Sequence, residues 1–271
     1  MEQKREAVSE SIGYLIIFSL ILTGIGLITL YGYPLLMQQQ SSANMRNMEQ
    51  TMIVLQNDIK SLSYKLANYK ETALRVSGGS LSLYGPSYTL QKFDITWTDT
   101  LGNHNDYTFI PGELHYFSTN DNTVITLENG AVIEKPLATN GSFMLADPRW
   151  YLDTSSKTLV INLMNLSTEP GTVQQLSETG IGTVRTRLLS TNMNLSTVSS
   201  TTMVTITYYP DNNQTITPDG YSLAWKTYLT DPSNLGMSCP DNFPKPITCT
   251  STIGNINNIV IKEYDLVVET L

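Results

Sequence analysis

The feature that most limits what this chain can fold into is a stretch without charge: no Asp, Glu, Lys or Arg occurs from Ser11 to Met45. Within it, Ile12 to Leu36 is an apolar run of 25 residues. As a helix this run would be about 37 Å long at ~1.5 Å per residue, enough to cross a hydrocarbon core of roughly 30 Å with some tilt. Tyr14 stands near one end and Tyr31 and Tyr33 near the other, where amphipathic rings anchor at membrane interfaces. Lys4 and Arg5 precede the run and the next positive charge is Arg46, so the positive-inside tendency predicts a cytoplasmic amino terminus with residues 38 onward outside. A conventional secretory signal has a shorter apolar region, about 7 to 15 residues, with a small-residue cut site directly after it. The nearest such site here, Ser41 to Ala43, lies well beyond the run. Gly24, Gly26, Gly32 and Pro34 weaken a helix in water, but neighbouring groups can re-satisfy such breaks in a membrane.

The following segment is helical in a different way. Residues 45–70 contain neither Pro nor Gly, and Met45, Met48, Met52, Leu55, Ile59, Leu62, Leu66 and Tyr69 recur at alternating spacings of three and four. This is a heptad stripe, with Arg46, Glu49, Asp58, Lys60, Lys65 and Lys70 on the other faces. Since Gln38 to Asn44 holds no strong breaker, one rod from Val8 to Lys70 is expected. The stripe can form a self-associating coiled coil or pack on the domain that follows. Intramolecular packing carries no association cost and is the favoured outcome, and three Met in the stripe give little specificity of oligomer state.

The first residues, Lys4-Arg5-Glu6-Ala7-Val8-Ser9-Glu10-Ser11-Ile12-Gly13, resemble the start of archaeal type IV pilin-like surface proteins and of related uncharacterised archaeal membrane-anchored proteins. In that group a short charged leader precedes a V-S-x-x-I-G type stretch and a long apolar helix. The resemblance implies a leader at 1–7 removed by a prepilin peptidase between Ala7 and Val8, an apolar membrane or filament-core helix at 8–37, an amphipathic helix at 38–70 and an external domain at 76–271. It also implies an assembly contact at Glu10, third in the processed chain, whereas many pilins carry such a glutamate near the fifth position. An uncut membrane anchor is the simpler alternative.

Past Val76-Ser77-Gly78-Gly79 the pattern changes to alternation. Residues 81–84, 93–97, 124–127, 159–163, 183–188, 203–209, 221–225 and 259–262 read as strands, separated by turn signals such as Asn129-Gly130, Asn140-Gly141 and Pro218-Asp219-Gly220. The fold class expected is therefore α+β: a long amino-terminal helix followed by an all-β sandwich, Ig-like or jelly-roll-like. One sandwich or two remain open, with Leu166 to Gly182 the best candidate seam. The stretch from Glu128 to Ile133 through Ser142-Phe143-Met144 to Trp150-Tyr151 also resembles the external domain of the same archaeal group.

Little here points to chemistry. Cys239 and Cys249 bracket a proline-rich segment and read as one disulfide in an exported domain, with two free thiols as the alternative. Sequons stand at Asn140, Asn165, Asn194 and Asn213, but 21 Asn in a chain with 59 Ser plus Thr yields four to five by chance, so they permit glycosylation without arguing for it. His104-Asn105-Asp106 and Glu113-Leu114-His115 are the nearest approach to a metal or acid–base cluster, and only a fold that joins them would make one. The loops at Asn120-Asp121-Asn122 and Asp211-Asn212-Asn213 lack a complete calcium ligand series and read as turns. No phosphate-cradling, zinc-protease or nucleophile-elbow motif is present, and no metal or cofactor is expected.

Charge narrows the partners. Residues 71–271 carry 10 positive and 19 negative side chains, with no Lys/Arg cluster to neutralise phosphates, which argues against nucleic acid. The expected partners are membrane lipid, the chain itself and, if it is processed, a prepilin peptidase. The leading expectation is a non-enzymatic surface protein, pilin-like; a monomeric membrane-anchored binding or assembly module is the second, and an exported hydrolase the third.

Overall fold

Alternation and heptad spacing meet in this molecule across one sheet. The computed structural model describes residues 3–65, 67–89, 91–139, 141–172, 175–210, 220–240 and 246–271. It divides into two units, Met1–Asn44 and Met45–Leu271. The helical elements at the amino-terminal end are α1 (Gln3–Leu27), a π-helical turn (Ile28–Gly32) and α2 (Tyr33–Lys65). Thirteen strands follow among the described residues: β1 (Tyr69–Tyr84), β2 (Lys92–Thr98), β3 (His104–Phe109), β4 (Glu113–Ser118), β5 (Thr123–Glu128), β6 (Ala131–Pro136), β7 (Phe143–Ala146), β8 (Tyr151–Asp153), β9 (Thr158–Ser167), β10 (Gln175–Thr197), β11 (Thr205–Tyr209), β12 (Ile247–Thr250) and β13 (Asn258–Thr270). A short helix, α3 (Ser222–Thr230), lies between β11 and β12.

The strands form a nine-stranded sheet of order β7-β6-β5-β4-β1-β10-β13-β9-β8 and a four-stranded sheet of order β12-β11-β2-β3. All pairs are antiparallel except β9 with β13. The class is α+β with a β-sandwich, as its sequence pattern implies. Side chains alternate between two cores, as a period of two requires. Leu159, Ile161, Leu163, Ile259 and Ile261 join the small sheet and α3 in one core, while Met164, Leu166, Tyr264, Leu266 and Val268 join α2 in the other.

The stripe of α2 is consumed by that second core. Met45, Met48, Met52, Leu55, Ile59 and Leu62 are all buried against β1, β4, β5, β6, β9, β10 and β13 within the same chain. Polar bonds fix the register of helix on sheet. The buried Gln56 Nε2 donates to the carbonyl of Gly130 at 2.7 Å and of Asp147 at 3.0 Å, and Lys60 Nζ donates to the Asp147 carbonyl at 3.0 Å. Gly130 sits with Asn129 in the β5–β6 hairpin at positive φ, 74° and 48°, the conformation that makes Asn-Gly the preferred two-residue turn. A Cβ at Gly112 would lie 1.7 Å from the Leu166 carbonyl oxygen, so only glycine lets this strand-end approach β9.

Four boundaries differ from expectation. The helix ends at Lys65, and Tyr69 and Lys70 belong to β1, where they pair with Arg187 and Thr186 of β10. Tyr69 is therefore exposed and is not part of the stripe; Leu66 lies outside the described residues. The spacing that carried the heptad to Tyr69 is overridden by β1 alternation, in which Leu74 and Val76 are buried, and Thr72 Oγ1 donates back to Asp58 at 2.5 Å. The sheet thus begins at residue 69, not 76, and Gly78-Gly79 falls at an irregularity within β1. Leu166 to Gly182 is no seam between sandwiches, because β9 and β10 belong to one sheet and residues 45–271 to one unit. Residues 221–225 are not a strand: the residues of α3 that are buried are Ser222, Ala224, Trp225, Tyr228 and Leu229, a helical spacing, whereas strand alternation would have buried Leu223 with Trp225.

Cys239 and Cys249 form a disulfide, with Cα atoms 4.2 Å apart. Closing a loop of this size stabilises the folded chain by about 2–3 kcal/mol in the chain-entropy account. Urea unfolding of the full chain in detergent should show the Cys239→Ser/Cys249→Ser variant destabilised by about that amount. In the same assay Leu62→Ala, at a position with 0% exposure, should cost about 2–5 kcal/mol through the cavity it leaves. Val54→Ala, on the exposed face of the same helix, should change stability by less than about 0.5 kcal/mol.

Candidate functional site

Two places concentrate unusual chemistry, and the first is the apolar helix surface. Every Leu, Ile and Phe from Ile12 to Leu36 is exposed in its unit, as are Tyr14, Tyr31, Tyr33 and Met37. This is the one helix among the described residues that is long and apolar enough to cross a membrane. Three of its hydroxyls are bonded within the helix. Ser19 donates to the Leu15 carbonyl at 2.7 Å, Thr23 to Ser19 at 2.8 Å and Thr29 to Ile25 at 2.9 Å. Each is an i to i−4 bond, the arrangement that hides a hydroxyl from an apolar medium. Ala7, Val8 and Glu10 lie in α1.

The second place is a polar cluster between the two sheets. Glu113 of β4 and Glu128 of β5 stand directly opposite one another, and both have 0% exposure. Thr126 Oγ1 donates to Glu113 Oε2 at 3.1 Å, and Tyr208 of β11 donates to Glu128 Oε2 at 3.4 Å. His115 Nδ1 is 3.7 Å from Glu113 Oε1 and 3.4 Å from the Tyr221 hydroxyl. Lys135 lies on the same face of the large sheet and donates to the Gly220 carbonyl at 3.0 Å. Burial, and then the charge of Glu113, push the Glu128 carboxyl well above the usual range; the Trp225 indole and the Tyr208 hydroxyl oppose that shift and do not cancel it. Burial likewise raises Tyr208 and Tyr221. Both causes favour the protonated form of Glu128 over the charged one. With no access to solvent it has the character of a structural acid, not of an open acid–base dyad.

A shallow cleft of about 420 Å3 opens beside α2, lined by Asn57, Lys60, Ser61, Tyr64 and Arg149. The Arg149 guanidinium lies 4.7 Å above the Tyr64 ring. Burial, and next the charge of Arg149, lower the Lys60 ammonium pKa.

The residues singled out from sequence are dispersed. His104 is an exposed residue of β3 in the small sheet, while His115 is buried on the large sheet, so the two segments do not form one site. No group of three or more His, Cys, Asp or Glu side chains among the described residues is arranged so that it could hold a metal ion. Of the sequons, Asn140 and Asn213 lie outside the described residues. Asn165 Nδ2 is engaged with Asp265 Oδ1 at 3.1 Å in β9, whereas Asn194 is exposed on β10 with its Oδ1 accepting from Ser196 of the same sequon at 3.2 Å. The Glu128 site had only a faint sequence signal: a carboxylate at the end of the strand pattern Val124-Ile125-Thr126-Leu127, with nothing local to show that Trp225 and Tyr208 would cover it.

The raised acid sets the sign of a pH effect. In the unfolded chain Glu128 releases its proton near 4.5, while the folded chain retains it to a higher pH, so the native state binds more protons in between and its stability falls as pH rises from 4.5. Glu134 and Asp147, also raised chiefly by burial, act in the same direction. The lowered acids Asp99, Asp153 and Asp231 act oppositely, but only as pH falls below 3.8. Denaturant unfolding should therefore give a lower stability at pH 8 than at pH 5.5, and Glu128→Gln should flatten that slope.

The sequence matches one family model over residues 6–249, a span that includes the apolar helix, α2 and twelve of the thirteen strands at least in part. No curated protein and no solved structure matches it. An exposed apolar helix and a β-sandwich with a helix packed on it are thus parts of a single inherited unit, and the chain belongs to a family of unknown function, DUF7289.

Proposed function

We propose that this protein is a non-enzymatic archaeal cell-surface protein, a pilin-like subunit or minor component of a type IV pilus-like filament. The carrying observation is the unequal use of the helical segment. The stripe from Met45 to Leu62 is buried in the β domain, while the apolar side chains from Ile12 to Met37 remain exposed. Such a surface requires cover, either lipid or other apolar helices. The resemblance of Lys4 to Gly13 to pilin-like leaders supports the second destination after removal of residues 1–7. In that reading the helix waits in the membrane with its amino terminus cytoplasmic and the acidic domain outside, and then exchanges lipid for the helices of neighbouring subunits. Glu10 would require neutralisation there, and the new amino group of Val8 supplies a cation, since an unpaired buried carboxylate is costly.

The second reading, a monomeric membrane-anchored binding or assembly module, is favoured by a different observation. With its heptad stripe already buried, α2 offers no coiled-coil seam to a neighbour. The mass of the amino terminus in protein from native membrane or surface fractions separates the two. A chain beginning at Val8, recovered with sheared filaments, is the expected result; a chain retaining Lys4 and Arg5 and found only as membrane-bound subunits would overturn the filament reading.

A further inference from the structure

The longest strand is only partly paired. β10 runs from Gln175 to Thr197; β1 pairs with it from Gln175 to Arg187, and β13 pairs on the other side from Arg185 to Thr197. From Leu188 to Thr197, the side of β10 that faced β1 has no strand partner among the described residues. No described loop backbone bonds to it either. Ser190 to Leu195 are exposed without interruption, Met193 at 61% and Leu195 at 64%.

Exposed edges invite strand addition, and natural sheets blunt them with charge, brevity or bends. Several other edges among the described residues follow that rule. The open side of β1 from Tyr69 to Val76 carries Lys70, Glu71 and Arg75. β7, β8 and β12 span only four, three and four residues, and β3 carries His104 and Asp106. The amino-terminal end of β10 beyond β13 carries Glu178 and turns at Gly180, φ 88°. Leu188-Leu189-Ser190-Thr191-Asn192-Met193-Asn194-Leu195-Ser196-Thr197 has no charge and no proline.

We propose that Leu188–Thr197 is a self-association edge, at which the same segment of a second copy adds antiparallel to β10 and continues the large sheet across a two-fold axis. A row of outward N–H and C=O groups is matched by another extended backbone, which fixes the occupant as a strand. The chain carries a net charge of −8, so two copies repel over most of their surface; this uncharged edge is where they can meet without opposing like charges. Met193 and Leu195 add apolar surface to the contact, and pairing of identical antiparallel edges closes at two copies. The inference is independent of the filament reading, since the edge lies in the β domain and needs no processing of the amino terminus.

The test uses the full chain in detergent micelles, by sedimentation over a range of concentrations together with amide hydrogen exchange. A concentration-dependent dimer is expected, with alternate amides of 188–197 gaining protection as it forms. Met193→Lys/Leu195→Lys should lose both the dimer and that protection while keeping the unfolding midpoint of the unaltered chain. Leu101→Lys, at an exposed turn position of 85% accessibility, should lose neither. A monomer in which the amides of 188–197 that do not face β13 exchange rapidly at all concentrations overturns the proposal. So does a dimer that persists in the double lysine variant with these amides unprotected, which would place association in the apolar helices. A glycan found on Asn194 in protein from the native surface also overturns it, because the sugar would then be what covers the edge.

Discussion

The packing of α2 on the large sheet is the interaction on which the remainder rests. Six apolar side chains of the helix are buried with residues from seven strands, and nearly all of the helix-side core loses its cover if they are withdrawn. The Gln56 bonds add direction to this apolar contact. A buried amide that loses its acceptors costs about 1–3 kcal/mol, so the helix cannot slide along the sheet without breaking its bonds to Gly130 and Asp147. Those carbonyls are presented by the hairpin turn and by the strand end that the Asn-Gly pair and β7 define, which ties local turn chemistry to the long-range fit.

Much of this was legible in the residues. The charge-free run, the heptad positions Met45 to Leu62, the Asn129-Gly130 turn and most strands follow from periodicity, because burial of one face writes itself into local spacing. What sequence spacing cannot rank is competition between patterns. Tyr69 satisfies the heptad as well as Leu62 does, yet pairing with β10 claims it. Tyr221 to Trp225 alternates like a strand, but Tyr228 and Leu229 extend a helical face that a window ending at Trp225 does not see. The polar cluster was least legible. Glu113 and Glu128 meet through a hairpin register, and Glu128 is contacted by Tyr208, 80 residues further along the chain.

That cluster also constrains how the sandwich is closed. Burying a carboxyl favours its neutral form, and Glu128 is held that way between the sheets, with the Tyr208 hydroxyl of β11 donating to Oε2 while Oε1 has no hydrogen-bond partner among the described residues. The two sheets are therefore held by a polar contact as well as by the aromatic group of Phe93, Trp150, Tyr208 and Trp225, whose rings lie 4.7–6.0 Å apart in successive contacts. Apolar layers alone permit several registers, whereas a buried acid with specified donors permits few.

The internally bonded hydroxyls of the apolar helix bear on transfer between media. Ser19, Thr23 and Thr29 keep their bonds to carbonyls of their own helix, so those bonds are the same in hydrocarbon chains as in a sheath of protein side chains. Moving this segment from one apolar surrounding to the other leaves these three bonds unchanged. For these side chains the free energy of such a move is then a matter of shape: how closely neighbouring helices fit around Gly24 and Gly26, where an added methyl would meet nothing, compared with how closely fluid lipid does.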